Sequence, residues 1–283
     1  MAKSILITGG SGLLGRKLSE QLLSRGYEVR HLSRSPGSDP RIKTFLWNIE
    51  KQEIDPSCIN GVDTIVHLAG AGIADKRWTD KRKQLIIESR TLSLKLVLSL
   101  LDKQAHEVIS LVSASAIGYY SDRGESLLKE TSPPASDFLG ICCQLWEDAA
   151  DEASRMGLRL VKLRTGVVLS KSGGALSKME IPIKLNVGSP LVSEQQWVPW
   201  IRELDVVNAY LFAIENLNLS GPYNLSSPEP VRNKDLVKTI AHRLDKTLWA
   251  PAVPEFVLKL MLGEMSNTVL GSTKVSPEKI IQG

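Results

Sequence analysis

"SILITGGSGLLGRKLSEQLLSRGYEVRHLSR", residues 4–34, reads as strand, glycine turn, helix, strand. Ile5 to Thr8 make the short apolar run of a buried strand. In "RKLSEQLLSRGY" (16–27) apolar residues fall at 18, 22 and 23, and Gly26 supplies a stop. Between strand and helix lie Gly9, Gly12 and Gly15, spaced GxxGxxG. The first such glycine permits a tight turn, the second lets backbone approach a pyrophosphate, and the third lets the helix pack on the strand. The amides at the helix start then face the phosphate anion. A plain βα turn can also be glycine-rich, but a strand directly before and a helix directly after are the context of a dinucleotide loop. Gly9, Gly10, Ser11, Gly12, Leu13, Leu14 and Gly15 are thus the first candidate ligand contacts.

The second strand, "EVRHLSR" (28–34), ends about twenty residues after the last glycine, where the adenosine ribose of a dinucleotide belongs. An acid there would hold the ribose hydroxyls of NAD and repel a 2′-phosphate. This chain has Ser33 and Arg34 instead. A hydroxyl and a guanidinium suit a phosphate, so the expected cofactor is NADP. Arg16, at the start of the helix, is a second candidate phosphate contact.

A chain of 283 residues can bury one sizeable core or two smaller ones. The net charge of +4 is small and dispersed, which argues against a nucleic-acid surface. The densest basic stretch, "DKRWTDKRK" (75–83), is expected to be a solvated helix start. Three cysteines with no CxxC spacing argue against a disulfide framework or a zinc site, and no metal is expected. No apolar run reaches the length of a membrane span, and the N-terminus leads straight into a strand, so the expectation is a cytoplasmic protein without a membrane partner.

Further strands follow in "DTIVHLAGAGI" (63–73) and "LVSASAIGYY" (111–120), both ending in small residues, and the helix between them holds Ser89 and Arg90. With the glycine loop, these resemble the extended short-chain dehydrogenase/reductases, the superfamily of nucleotide-sugar epimerases and dehydratases. "RW" (77–78), "ESR" (88–90), "SASAIGYY" (113–120), "WEDAA" (146–150), "LRTGVVLSKSGGAL" (163–176), "VPWI" (198–201) and "PAVPEFVLKLMLGEM" (251–265) narrow the resemblance to its atypical branch, the epimerase family.

The resemblance implies an α/β protein with a Rossmann-type doubly wound parallel sheet and a smaller α+β C-terminal substrate domain. Residues 1–170 would bind NADP and 171–283 would form the substrate domain, with a helix near 200–217 packing back on the first. Members of the branch commonly continue past "VSPEKIIQG" (275–283) with a short aromatic stretch and a helix, so by the resemblance the substrate domain is expected to end early here. By residue-by-residue transfer the glycine loop holds the cofactor and Ser33 and Arg34 take the ribose phosphate. Leu68, Ala69 and Gly70 line the adenine side, Arg90 reaches the cofactor from the next helix, and Val168 lies near the nicotinamide. For Ala69 and Gly70, close packing at a strand end is an equally good account. The implied substrate is a small molecule, a nucleotide sugar or another carbonyl compound, and a homodimer is an open outcome.

The superfamily's chemistry needs a serine or threonine, a tyrosine and a lysine. Serine bonds the substrate oxygen and tyrosine exchanges the proton, while lysine, four residues on along a helix, lowers the phenol's pKa. Without that cation a phenol titrates near ~10. Ser115, at a strand end, matches the serine. The tyrosine and lysine should fall in "DFLGICCQLWEDAADEA" (137–153), but alignment of the pattern on Glu147 puts Leu139 and Cys143 there. Leucine transfers no proton, and an ordinary thiol is neutral near pH 7. Tyr119 and Tyr120 are candidates to present a phenol in their place, and Ser115, Tyr119 and Tyr120 form the expected catalytic set; packing is the competing account of both rings.

That helix otherwise reads as scaffold, with Phe138, Ile141, Cys142, Leu145 and Ala149 as one apolar stripe widened by Trp146. Glu147 and Asp148 are expected on its capped or solvated face, and the adjacent cysteines as small hydrophobes. "LRLVKLRTGVVLS" (158–170) reads as a strand leading to a glycine hinge, "KSGGAL". Beyond it "IPIKLNVGSPLV" (181–192) alternates apolar runs with Pro and Gly, "GPYNLSS" (221–227) reads as a strand, and "NKDLVKTIAHRL" (233–244) as a helix capped by Asn233. Lys178, Lys184, Trp200 and Arg202 are candidate substrate contacts. The expected function is an NADP-dependent oxidoreductase or epimerase-like enzyme lacking the usual Tyr-x-x-x-Lys pair, with a non-catalytic NADP-sensing or regulatory protein as the alternative.

Overall fold

The computed structural model describes residues 3–186, 188, 194–249 and 253–283. The chain runs β1 (Ser4–Thr8), α1 (Leu13–Ser24), β2 (Glu28–Ser33), β3 (Lys43–Asn48), β4 (Glu53–Ile54), β5 (Thr64–His67), α2 (Asp80–Lys103), β6 (Ser110–Ala116), β7 (Leu127–Leu128), α3 (Phe138–Arg155) and β8 (Arg159–Thr165). It continues through β9 (Val167–Ser170), β10 (Gly173–Gly174), α4 (Ala175–Lys184), β11 (Trp197–Val198), β12 (Trp200–Arg202), α5 (Glu203–Glu215), β13 (Gly221–Leu225) and β14 (Val231–Arg232). Last come α6 (Asn233–Arg243), α7 (Glu255–Leu262), α8 (Asn267–Leu270), β15 (Lys274–Val275) and α9 (Glu278–Gln282).

One eight-stranded sheet has the order β13-β8-β6-β5-β1-β2-β3-β4, parallel except at its β3–β4 edge. The chain winds outward from β1 through β2 to β3, then returns to lay β5 on the other side of β1. The β1–β5 boundary is therefore a topological switch point, and the crevice outside the carboxyl ends of its strands is where such sheets bind ligands. Helices on both faces explain why the strands read as continuous apolar runs. Ile5, Ile7, Val112 and Leu163 face α1 and α5, while Leu6, Ile65, Leu111 and Leu160 face α2 and α3. Each such fully buried Ile or Leu contributes roughly 2 kcal/mol of transfer free energy.

The structure is the expected Rossmann-type α/β fold, and departs from the sequence reading at four places. The run 158–170 is not one strand: at Gly166 the chain leaves the main sheet for β9, because a Cβ there would lie 2.1 Å from the Pro199 carbonyl oxygen. Gly221–Leu225 adds the edge strand of the main sheet, so a strand beyond 170 enters that layer along with α5, the helix expected to pack back on it. α6 begins at Asn233 with Arg232 in the N-cap place and no side-chain cap. The buried face of α3 is rotated from the expected stripe: Cys142, Trp146 and Ala149 are buried as expected, but Ile141 and Leu145 are more than two-fifths exposed, and Cys143, Glu147, Ala150 and Ala153 are buried in their stead. Small residues fit where α3 wedges between α2 and the sheet, and helical spacing alone did not reveal which side that was.

The smaller lobe builds on β9, paired with β10 and β12, and on α4 and α6 around Ile183, Leu236, Val237, Ile240 and Ala241. In "IPIKLNVGSPLV", residues 187 and 189–192 lie outside the described residues. "DKRWTDKRK" does open a helix, α2, capped by Thr79, whose hydroxyl accepts from the Arg82 amide; Trp78 within it is buried. Among the described residues no helix is long and apolar enough to cross a membrane.

Candidate functional site

At the carboxyl end of β1 the glycine loop is shaped by contacts no side chain would allow. Gly9 has φ +71°, and a Cβ on it would stand 2.8 Å from the Leu68 carbonyl carbon, so the β1 and β5 exits touch. A Cβ on Gly10 would meet the His31 imidazole at 2.4 Å, and one on Gly15 would stand 2.4 Å from the Gly9 oxygen. The Gly12 amide donates to Gly9 O at 3.0 Å, which closes the turn. α1 then starts with Gly12 as N-cap, no side-chain cap and no acid in its first turn. Its first amides and the positive end of its dipole remain for an outside acceptor.

The other expected contacts lie at the ends of the neighbouring strands β2 and β5, on α2 and on β9. Ser33, half-buried, closes β2, and Arg34 after it is exposed with no ion pair among the described residues. Thr8 Oγ1 accepts from the Leu68 and Ala69 amides, both at 3.2 Å, fixing the β5 exit. Gly70 is exposed and close enough to Arg90 that a Cβ would lie 3.0 Å from its Cζ. Arg90 Nη1 donates to Ala71 O and Ile86 O, and the guanidinium lies 5.0 Å from the Trp146 ring centroid. It has no carboxylate partner among the described residues, and burial pulls its pKa down. Val168 in β9 pairs with Ile201, and a Cβ on Gly174 of the hinge would lie 3.7 Å from Leu13 Cδ2, so the hinge passes near the start of α1.

Ser115 and its neighbours form a different arrangement. Ser115 is 3 % exposed and donates to Glu147 Oε1 at 2.7 Å. Arg164, its register partner on β8, grips the same carboxylate with Nε at 2.7 Å and Nη2 at 2.8 Å. Arg164 Nη1 donates to Tyr120 Oη at 2.8 Å, and that hydroxyl donates to Asn224 Oδ1 at 2.8 Å. Burial pushes the Glu147 carboxyl up, but Arg164, Ser115 and Lys162 outweigh it and hold the pKa below the ordinary glutamate value. The expectation of a solvated Glu147 is overturned: it is 5 % exposed, and its charge is compensated inside.

The two tyrosines part company here. Tyr120 is 0 % exposed, with both hydroxyl roles taken. Tyr119 is half-buried, with Arg164 Cζ 3.6 Å from its ring centroid, and its hydroxyl has no hydrogen bond among the described residues and is not closed off from solvent. Leu139 and Cys143 sit under the same turn, their side chains 3.4 and 3.6 Å from where a Gly118 Cβ would be. Burial pushes both Cys142 and Cys143 thiols up, so neither is a thiolate near neutrality. Of the other candidates, Lys178 Nζ donates to Ala74 O at 2.9 Å across the lobes. Lys184 pairs with Glu180 and Arg202 with Asp205 at the surface, and Trp200 is half-buried with its indole nitrogen unpartnered among the described residues. Sequence reasoning missed Arg164, Asn224 and His31; the strand-end serine facing an arginine one strand over is visible only once the register is known.

Residues 5–226 match the model of the NAD dependent epimerase/dehydratase family. The chain belongs to that family. Residues 253–283 match a further model, described as a domain of unknown function, DUF1731. An epimerase family protein of Staphylococcus haemolyticus, SH2119, is 37 % identical over 98 % of this chain and 92 % of its own. The solved structure of human epimerase family protein SDR39U1 with NADPH aligns at TM-score 0.87 and 27 % identity, covering 99 % of this chain and 92 % of that one. A nucleoside-diphosphate sugar epimerase from Corynebacterium glutamicum aligns at TM-score 0.79 and 31 % identity over all of this chain and 54 % of that one. The family's NAD(P)-binding fold is therefore present here, and the loop fits such a group: its glycines leave no Cβ above the uncapped α1 amides.

Proposed function

We propose that this protein binds NADP(H) and uses it on a small substrate, a nucleotide sugar or another carbonyl compound, held between the main-sheet layer and the smaller lobe built on β9, β10, β12, α4 and α6. The observation that carries the choice of cofactor is Arg34, exposed and without a carboxylate partner among the described residues, just after β2, the strand that lies parallel beside β1. In this reading residues 9–15 hold the pyrophosphate, Ser33 and Arg34 the 2′-phosphate, Leu68, Ala69 and Gly70 the adenine side, with Arg90 and Val168 toward the nicotinamide. A guanidinium and a hydroxyl donate to a phosphate dianion, whereas an acid would repel it. NADP should raise the melting temperature well above what NAD does, and Arg34→Asp should shrink or reverse that difference. Equal stabilisation of the wild type by both would overturn the cofactor choice.

Bound nicotinamide supplies or accepts hydride, and the chain must handle the accompanying proton. Tyr119 is the phenol available for it, because Tyr120 is closed by Asn224 and Arg164. The Ser115 proton rests on Glu147, so this hydroxyl offers a substrate an acceptor and not a donor. This supports an oxidoreductase or epimerase-like enzyme in which Ser115 accepts from a substrate hydroxyl and Tyr119 exchanges the proton. Loss of turnover in Tyr119→Phe with cofactor binding retained is the expected result; turnover unchanged would remove the assignment. A second reading, a non-catalytic NADP-responsive binding protein, is favoured by Leu139 and Cys143 at the usual tyrosine and lysine positions. NADPH absorbance that stays constant across a broad carbonyl panel would favour it, and hydride transfer to any physiological compound would remove it.

A further inference from the structure

His31 is absent from every role assigned so far, yet its ring is wedged directly under the glycine loop. The imidazole fills the space a Gly10 Cβ would take, at 2.4 Å from Nε2 and 2.5 Å from Cδ2 and Cε1. Ser19 Oγ lies 2.7 Å from His31 Nε2 and also donates to Gly15 O at 2.8 Å. A hydroxyl has one proton, and Gly15 O can only accept, so Ser19 accepts from His31 and the neutral ring carries its hydrogen on Nε2. This chain runs from β2 through α1 to the third glycine of the loop. Nδ1, on the far side, has no hydrogen bond among the described residues and is not sealed from solvent, so a second proton can enter there.

We propose, on the reading that the loop binds a dinucleotide pyrophosphate, that His31 is a proton-coupled part of that site: protonation at Nδ1 sets a positive charge beneath Gly10 and strengthens dinucleotide binding. The groups facing the ring are few. α1 offers Ser19, β1 and β3 offer the register partners Ile7 and Thr44, and the β2–β3 connection offers Asp39, the charged group among them, itself paired with Arg41. Burial lowers the His31 pKa and Asp39 raises it, with a net value below the ordinary 6.5, so the ring is mainly neutral at pH 7 without ligand. An anion above the loop favours the imidazolium and raises that pKa. Binding must then take up a proton, and affinity must rise as pH falls from above the ligated pKa to below the free one.

The test is titration calorimetry of NADP+ on the full chain, near pH 8 and near pH 6, in buffers of different ionisation enthalpy. The 2′-phosphate of NADP+ also titrates near ~6, so wild type is compared with His31→Gln, in which that contribution is the same. The expectation is a several-fold larger affinity gain toward low pH in the wild type, with extra proton uptake that His31→Gln lacks. Equal pH dependence and equal proton uptake in both overturn the proposal while leaving the cofactor reading intact. No binding by the wild type at any pH overturns the cofactor reading and this proposal with it. Should His31→Gln fail to fold, Asp39→Asn decides, because it leaves the ring under Gly10: a shift of the affinity rise to lower pH supports the proposal, and an unmoved profile overturns it.

Discussion

Two clusters stand at the carboxyl edge of one sheet, and they differ in what they leave unmade. At the β1–β2 end the amides of α1 have no cap and Arg34 has no ion-pair partner among the described residues. At the β6–β8 end Ser115, Glu147, Arg164, Tyr120 and Asn224 satisfy one another. Buried polar groups with full partners rigidify a core, whereas open donors at a switch point await a ligand. Ser115 thus gives its proton to this closed architecture and keeps only an acceptor role toward a substrate, while Tyr119 at the rim holds a phenol that is free among the described residues.

The strongest attack on this contrast is to break the closed cluster. Arg164→Ala leaves the Glu147 carboxylate buried with Lys162 3.5 Å away as its remaining cation. Removing one partner of a buried pair costs about 3–5 kcal/mol, so unfolding in denaturant should show a loss of that order. Arg34→Ala, at the open end, should change stability by less than about 0.5 kcal/mol. Comparable effects at the two positions would erase the distinction between closed and open ends.

Between the clusters His67 tests the interior. Its Nε2 contacts Ser93 Oγ at 2.9 Å, whose proton is given to backbone carbonyls, so the ring donates from Nε2 and leaves Nδ1 unpartnered. Burial, with Arg90 nearby, drops its pKa to about 3. The unfolded chain binds this proton near ~6.5, so the folded state holds fewer protons below that pH. Its stability is complete above the unfolded pKa and is lost as pH falls toward the folded one, by roughly 2 kcal/mol at about pH 5. Unfolding at neutral pH and near pH 5, compared with His67→Gln, should show that extra loss in the wild type alone; identical slopes would mean that the ring is not held neutral inside.

The legible parts of the molecule were those whose cause is local. A glycine that must take φ +71° or lie against a carbonyl is dictated by its own missing Cβ, so the loop at 9–15 could be read directly. Ser33 and Arg34 were singled out by their distance along the chain from that loop, and they lie at the end of β2, next to β1. Glu147 was misjudged because a glutamate on a helix is normally solvated, and its partner, Arg164, comes from a strand whose register no helix pattern encodes. The stripe of α3 failed for a related reason: Ile141 and Leu145 are apolar on the outer side, so hydrophobicity alone pointed between two faces. The break at Gly166 depends on Pro199, over thirty residues away.

Tyr119 and Tyr120 bring the contrast down to adjacent residues. Tyr120→Phe strips a donor from Asn224 Oδ1 and an acceptor from Arg164 Nη1 within a closed core, and a group so stranded costs roughly 1–2 kcal/mol. Tyr119→Phe removes a hydroxyl without a hydrogen bond among the described residues while keeping the ring stacked on Arg164, so its stability should shift by less than about 0.5 kcal/mol. Thermal and denaturant unfolding of the two variants measure the difference. If Tyr119→Phe proved the costlier, its hydroxyl would have to be part of the closed cluster, and the rim would hold no phenol free to meet a substrate. If the expected order holds, the small stability change at Tyr119 makes any loss of turnover there attributable to chemistry and not to unfolding.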